Sequence, residues 1–333
     1  MCAARRLVKN AQNTMSALAP KTDMQDIDLD GLMSRAVGAY LGLAVGDALG
    51  ATVEFITPRE IQAQYGEHRD IIGGGWLKLK PGQVTDDTEM SLALGRALIE
   101  AGGVDAVRIA QAFDQWMQSK PVDIGNTVCR GIVRFRTHGT TQGPVDDFDA
   151  GNGAVMRVLP VALVSLGADR NAVTLAAKTQ AHITHNAPLA DAGMMAVVDM
   201  VQRALISPRH ALADMIAIAH ELERCFKAFV FTKKREQNPS GYLPDTLRAV
   251  FQAFSRTDSF EAALIDVVNR GGDADTTGAI LGCIAGALYG KGAIPARWLE
   301  RLDKDVYAAC EDQAAQLMAL SPLVRGGTLS IHA

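Results

Sequence analysis

Apolar residues along this chain recur every three to four positions, and period-2 alternation is almost absent. That pattern gives little from which to build a half-buried sheet and points to helices packed on helices. Leu32, Ala36, Ala39, Tyr40, Leu43 and Ala44 make the first such face and predict a helix over Leu32–Leu49. The same reading expects helices near Arg59–Tyr65, Glu89–Ala101, Val104–Gln118, Val128–Arg136 and Ala154–Leu166. It continues with Arg170–Thr179, Ala187–Ile206, Arg209–Ala228, Leu247–Ser255, Ser259–Asn269, Thr277–Tyr289 and Ala296–Leu320. Hydrophobic residues are 48% of the chain but aromatics only 5%. The helices are therefore rich in Ala, Leu, Val and Gly, and their backbones can approach closely. No internal repeat of solenoid length interrupts the pattern.

With 333 residues the chain can bury a sizeable core. We expect one compact all-α domain over residues 31–320. Residues 1–30 are polar and irregular and are expected to be a disordered extension or an over-long gene start, and 321–333 a tail. The 33 basic and 37 acidic residues are mixed and leave a net charge of −4. No basic stripe argues for nucleic acid as a partner. The five cysteines (Cys2, Cys129, Cys225, Cys283, Cys310) form no CxxC pair, so neither a disulfide framework nor a zinc site is expected, and a reducing cytosol fits. No apolar run reaches the ~18–20 residues that span a bilayer, and the amino terminus lacks a secretory h-region.

Chemistry concentrates at two acidic stretches. In Gly271-Gly272-Asp273-Ala274-Asp275-Thr276-Thr277-Gly278 two glycines free the backbone and two carboxylates follow, one residue apart. In an extended segment Asp273 and Asp275 would point to one side, with Thr276 or Thr277 capping the helix that follows. Far upstream, Thr85-Asp86-Asp87-Thr88-Glu89 heads another apolar helix. Either stretch alone reads equally as an acidic N-cap. Together with Glu54, which follows the Gly46-Asp47-Ala48-Leu49-Gly50 turn, they place five carboxylates that can share one site only around cations. All-oxygen donors suit Mg²⁺ or Mn²⁺.

Weaker signals surround these. Gly151-Asn152-Gly153 can expose backbone N–H groups to phosphate ahead of a helix, although a plain turn is the commoner meaning. Arg157 reads either as a phosphate partner or as a surface residue. His182-Ile183-Thr184-His185 reads as a helix end with satisfied histidines rather than as metal ligands. Trp76 and Tyr242 are loop aromatics, suited to stacking on a base or to burial against the core.

These motifs, in this order, resemble the ADP-ribosylglycohydrolases, over about residues 34–318. The finer match, through Gly73-Gly74-Gly75-Trp76-Leu77-Lys78-Leu79 and Pro121-Val122-Asp123, resembles the bacterial members that remove ADP-ribose from an arginine of nitrogenase Fe protein. The resemblance implies a compact orthogonal helical bundle with a dinuclear Mn²⁺ or Mg²⁺ cleft. It implies Thr85, Asp86, Asp87, Asp273, Asp275 and Thr276 as metal ligands, with Asp86 and Asp275 touching both ions. Glu54 and Asp123 become the candidate catalytic carboxylates. Gly151, Asn152, Gly153 and His185 become pyrophosphate and ribose contacts, and Tyr242 a platform for adenine. Asp147, beside Asp146, falls where the family tends to carry a further acidic residue. The resemblance also implies a PII signalling protein and an ammonium-channel complex as partners, the latter bringing a cytoplasmic protein to the membrane.

Two other readings stand beside this one. A non-catalytic ADP-ribose sensor would keep the cradle without turnover. An all-α isoprenoid synthase would use Asp86-Asp87-Thr88-Glu89 as a diphosphate motif, but its pocket calls for more aromatic helices than this chain supplies.

Overall fold

The computed structural model describes residues 28–146, 150–207 and 211–332. Among them fifteen α-helices follow one another. The first six are α1 (Leu29–Gly50), α2 (Pro58–Tyr65), α3 (Asp86–Ala101), α4 (Ala106–Gln118), α5 (Asn126–His138) and α6 (Leu159–Val164). Next come α7 (Arg170–Ala181), α8 (Pro188–Ile206), α9 (Ala211–Cys225), α10 (Leu243–Arg256) and α11 (Phe260–Val268). The chain closes with α12 (Ala274–Tyr289), α13 (Ala296–Arg301), α14 (Lys304–Leu320) and α15 (Pro322–Arg325). The all-α expectation holds. The two named strands, β1 (Val104–Asp105) and β2 (Ile331–His332), form one parallel pair with Val104 opposite Ile331.

Two helices apolar on every face form the centre. Every residue of α1 from Gly38 to Gly50 is buried, as is every residue of α12 from Ala274 to Ala287. They run antiparallel, and small residues four apart interlock. A Cβ on Gly38 would lie 2.6 Å from Gly286 O, one on Gly42 2.2 Å from Gly282 O, and one on Gly46 2.0 Å from Gly278 O. The row ends with Gly50 against Ala274 O. The two backbones meet with no side chain between them, and the negative end of α1 lies beside the positive end of α12. Around this pair pack α3, α8, α10, α11 and α14, in one continuous apolar core.

Local chemistry explains where the elements begin. Asp28, Asp105, Asp169, Ser259 and Asp303 cap α1, α4, α7, α11 and α14 through side-chain oxygens, and Thr57 with Glu60 forms a capping box on α2. The expected helix Ala296–Leu320 is therefore two helices, because Asp303 accepts from the N–H groups of Asp305 and Val306 and restarts the chain. The expected helix Ala154–Leu166 starts and ends in turns, and only Leu159–Val164 is helical, opened by Pro160 in its first turn. Residues 1–27 of the expected extension, and Asp147, lie outside the described residues. Among the described residues no helix is long and apolar enough to cross a membrane.

Candidate active site

The head of α12 is set by its two glycines. Gly271 and Gly272 have φ of 67° and 66°, and Cβ atoms there would lie 2.2 Å from Ile56 O and 2.1 Å from Pro239 O. Only glycine fits a left-handed turn clamped this closely from both sides. Asp273 is the N-cap residue and Asp275 lies in the first turn, so the segment is not extended as the spacing suggested. The two carboxylates still meet, because the turn and the first helical residues fold them onto each other. Neither threonine caps the helix. Thr276 Oγ1 donates to Asp87 Oδ2 at 3.1 Å, and Thr277 Oγ1 donates to Ala274 O.

The head of α3 is held by a residue of α1. Thr85 is the N-cap but makes no cap bond of its own. The buried Asp47 carboxylate instead accepts from the backbone N–H groups of Thr85 and Thr88, at 3.0 and 3.1 Å, and from both hydroxyls. One acidic group thereby satisfies two of the orphan N–H donors of α3 and complements its dipole. A hydroxyl has one proton, so donation from Thr85 Oγ1 to Asp47 leaves its lone pairs for another partner.

Glu54, Asp123 and Asp275 offer oxygens that all lie within 4.8 Å of one another. Glu54 is buried and receives Trp76 Nε1–H at 2.7 Å; Asp123 is half-buried and receives the Ile124 N–H, also at 2.7 Å. Asp86 receives the Gly125 N–H and feels Asp123 and Asp273. Asp87 Oδ1 is buried with no hydrogen-bond partner. An orphaned carboxylate oxygen among several other buried carboxylates is a place for positive charge. The donors are all oxygen, which fits a hard divalent cation, and these residues could hold one.

Electrostatics make the same point. Burial, reinforced by neighbouring carboxylates, pushes Glu54 and Asp86 up to about 8 from ordinary values of 4.5 and 3.8. Asp87, Asp273 and Asp275 also rise, burial again being the largest cause. Without cations the folded chain therefore binds protons that the unfolded chain has released, so its stability falls as pH climbs from about 4.5 to about 8. Chelator-treated protein is expected to melt at a lower temperature at about pH 8 than at about pH 5. The loss is about 1.4 kcal/mol per pH unit for each extra proton held. Mn²⁺ or Mg²⁺ should restore the melting temperature at about pH 8. A melting temperature that climbs across that range in chelator would contradict this account.

A second set of residues joins the cluster through Asn152. Its Nδ2 donates to Asp273 Oδ2 and Thr246 Oγ1, and its N–H donates to Gly241 O. Gly151 pairs with Tyr242 in an antiparallel bridge. Tyr242 is 40% exposed, which leaves ring surface for stacking. A Cβ on Gly153 would lie 2.8 Å from His185 Cε1, so Gly151, Asn152, Gly153, His185 and Tyr242 are brought together. The glycine loop heads no helix of its own, since turns run on to Val158. Arg157 is neither a phosphate partner nor a surface residue. It is fully buried over the Phe113 ring, bonded to Gln180 and to Thr184 Oγ1. Thr184 Oγ1 accepts from Arg157 and also hydrogen-bonds His185 Nδ1 at 2.8 Å, which fixes the ring against Thr184. Burial, then Arg157 and Arg130, depress His185 to about 3, so its ring is neutral. His182 is satisfied by Asp191, as expected of a helix end.

Comparison with known proteins places this arrangement. The family model for ADP-ribosylglycohydrolase matches residues 28–325. The chain belongs to the ADP-ribosylglycohydrolase family. It is 51% identical to the ADP-ribosyl-[dinitrogen reductase] glycohydrolase of Rhodospirillum rubrum, over 87% of this chain and 97% of that one. It is 31% identical to the ADP-ribosylarginine hydrolase Tri1 of Serratia proteamaculans, over 93% and 84%. The solved ADP-ribosylglycohydrolase-related protein complex superposes with a TM-score of 0.76 at 33% identity, covering 87% of this chain and 99% of that one.

Two residues inside these motifs take roles that motif reading did not assign. Asp47 fixes the head of α3, and its signal is a lone charge in the buried, otherwise uncharged stretch from Gly38 to Gly50. Trp76 fixes Glu54 through its indole N–H and stays half-exposed rather than buried against the core. The isoprenoid-synthase reading falls away, since the acidic pairs head helices in a chain of another family.

Proposed function

We propose that this chain is a hydrolase that cleaves the N-glycosidic bond between ADP-ribose and a protein arginine, with Mn²⁺ or Mg²⁺ as cofactor. The convergence of Glu54, Asp123 and Asp275 beside the heads of α3 and α12 carries the reading. An acidic cleft repels a pyrophosphate substrate unless cations intervene. Thr85, Asp86, Asp87, Asp273, Asp275 and Thr276 would hold two such ions through their carboxylate and hydroxyl oxygens. When bound, the ions supply positive charge that offsets the carboxylates and polarises ligand oxygens.

The chain's own residues do the rest. The neutral His185 ring and the Gly151–Gly153 backbone hold the ribose and pyrophosphate, and the Tyr242 ring faces adenine. The carboxylate of Glu54 or Asp123 takes a proton from water as the hydroxyl adds to C1′. The bonding pair of C1′–N leaves with the guanidine, which takes up a proton and departs as arginine. Trp76 and the Ile124 N–H keep the two carboxylates in place for this step. The name of the Rhodospirillum relative supports nitrogenase Fe protein as the protein substrate. Control by PII and by an ammonium-channel complex, and a cytoplasmic location, belong to the same reading and rest on the resemblance alone.

Glu54→Gln and Asp123→Asn test the assignment. In the residue that carries the proton, the change should lower kcat by about 10²–10⁴-fold with divalent-cation binding retained. Full turnover in either variant removes that residue from the chemistry. Tight ADP-ribose binding without turnover in the unaltered protein would instead identify a sensor.

A further inference from the structure

Phe55 is a bulky residue at φ 59°, a backbone region that such side chains avoid. It is held there by pairing with the α12 turn: its N–H donates to Gly272 O at 2.7 Å, and the Gly272 N–H returns to Ile56 O at 3.2 Å. The effect is to turn Glu54 inward while leaving Phe55 63% exposed. Trp76 lies beside it, 52% exposed, with ring centroids 5.4 Å apart and planes inclined at 49°. The same indole donates to Glu54. Its loop is closed by the Gly74–Leu79 bridge and tied down by Thr52 Oγ1 to Gly73 O. Two large aromatic faces are therefore fixed in solvent at the edge of the carboxylate cluster, by strained backbone that serves no core.

We propose that Phe55 and Trp76 form the subsite for the arginine side of the scissile bond, stacking on its guanidinium. The inference rests on the proposed arginine hydrolysis and adds the residues that recognise the leaving group. Position separates this pair from the nucleotide contacts. The Gly271–Gly272 turn is clamped between two loops, the one carrying Phe55 against Gly271 and the one carrying Pro239 against Gly272. Tyr242 and Gly241, whose carbonyl accepts from the Asn152 N–H, belong to the second loop; the aromatic pair belongs to the first, with Glu54. Chemistry agrees with position. A planar cation is attracted to aromatic faces, more so next to a carboxylate, whereas the anionic half of the substrate gains nothing there.

Phe55→Asn tests this with little backbone penalty, because asparagine tolerates the left-handed region. The KM for ADP-ribosyl-arginine should rise about five- to tenfold. Inhibition by free ADP-ribose should change less than about twofold, and kcat should hold, since stacking binds ground and transition states alike. Trp76→Phe, which keeps a ring but removes the bond to Glu54, should lower kcat more than it raises KM. An unchanged KM in Phe55→Asn, or an equal weakening of free ADP-ribose, overturns the subsite alone. No release of ADP-ribose by the unaltered protein overturns both this inference and the arginine reading.

Discussion

Gly46→Ala is expected to destabilise the protein by more than about 3 kcal/mol, against a helix-propensity gain of about 1 kcal/mol. Its Cβ would lie 2.0 Å from Gly278 O and 2.3 Å from Gly278 C, both backbone atoms in a buried helix. Neither can move without separating α1 from α12 along their whole contact, and overpacking of this kind spreads to every layer that rests on the pair. Urea unfolding reads the effect. Gly292→Ala is the matched control, since a Cβ there meets nothing within 4 Å. A Gly46→Ala midpoint equal to that of the control would mean the central pair is not as close as described.

Asp47→Ala is expected to cost both stability and cation affinity. Four buried donors, the N–H and hydroxyl groups of Thr85 and Thr88, lose their acceptor. At about 1–3 kcal/mol for each buried group left unpaired, partial relaxation still leaves a loss of about 3 kcal/mol or more. The head of α3 then loosens, and with it Asp86 and Asp87. Removing such a supporting partner typically weakens metal binding about 10–100-fold. Asp47→Asn keeps one acceptor oxygen and should fall between. Titration of chelator-treated protein with Mn²⁺, followed by calorimetry, separates the two effects. Cation affinity within about twofold of the unaltered protein in Asp47→Ala would show that Asp47 is only a helix cap.

The acidic heads of α3 and α12 were legible because glycine, aspartate and threonine at a helix start leave a local signature. Their partnership was legible only as chemistry, since nothing in the spacing says that residues 190 apart touch. Asp47 and Arg157 show the limit. Each is a charged residue whose role is set by elements far away in sequence, Asp47 by α3 and Arg157 by Phe113, Gln180 and Thr184. Small residues promised close helices, yet the pairing of Gly38, Gly42 and Gly46 with Gly286, Gly282 and Gly278 needed the packed pair. The glycine loop at residues 151–153 misled in the opposite direction, since good helix formers after it were overruled by turns that place Asn152 on Asp273.

If the carboxylate cluster holds divalent cations, ADP-ribose is released from arginine only when they are bound. The most direct test is release of free ADP-ribose from ADP-ribosyl-arginine by chelator-treated protein, before and after Mn²⁺ is returned. No release in chelator and full release with Mn²⁺ are expected. Release that persists in excess chelator, or none after Mn²⁺ is restored, would contradict that dependence on cations.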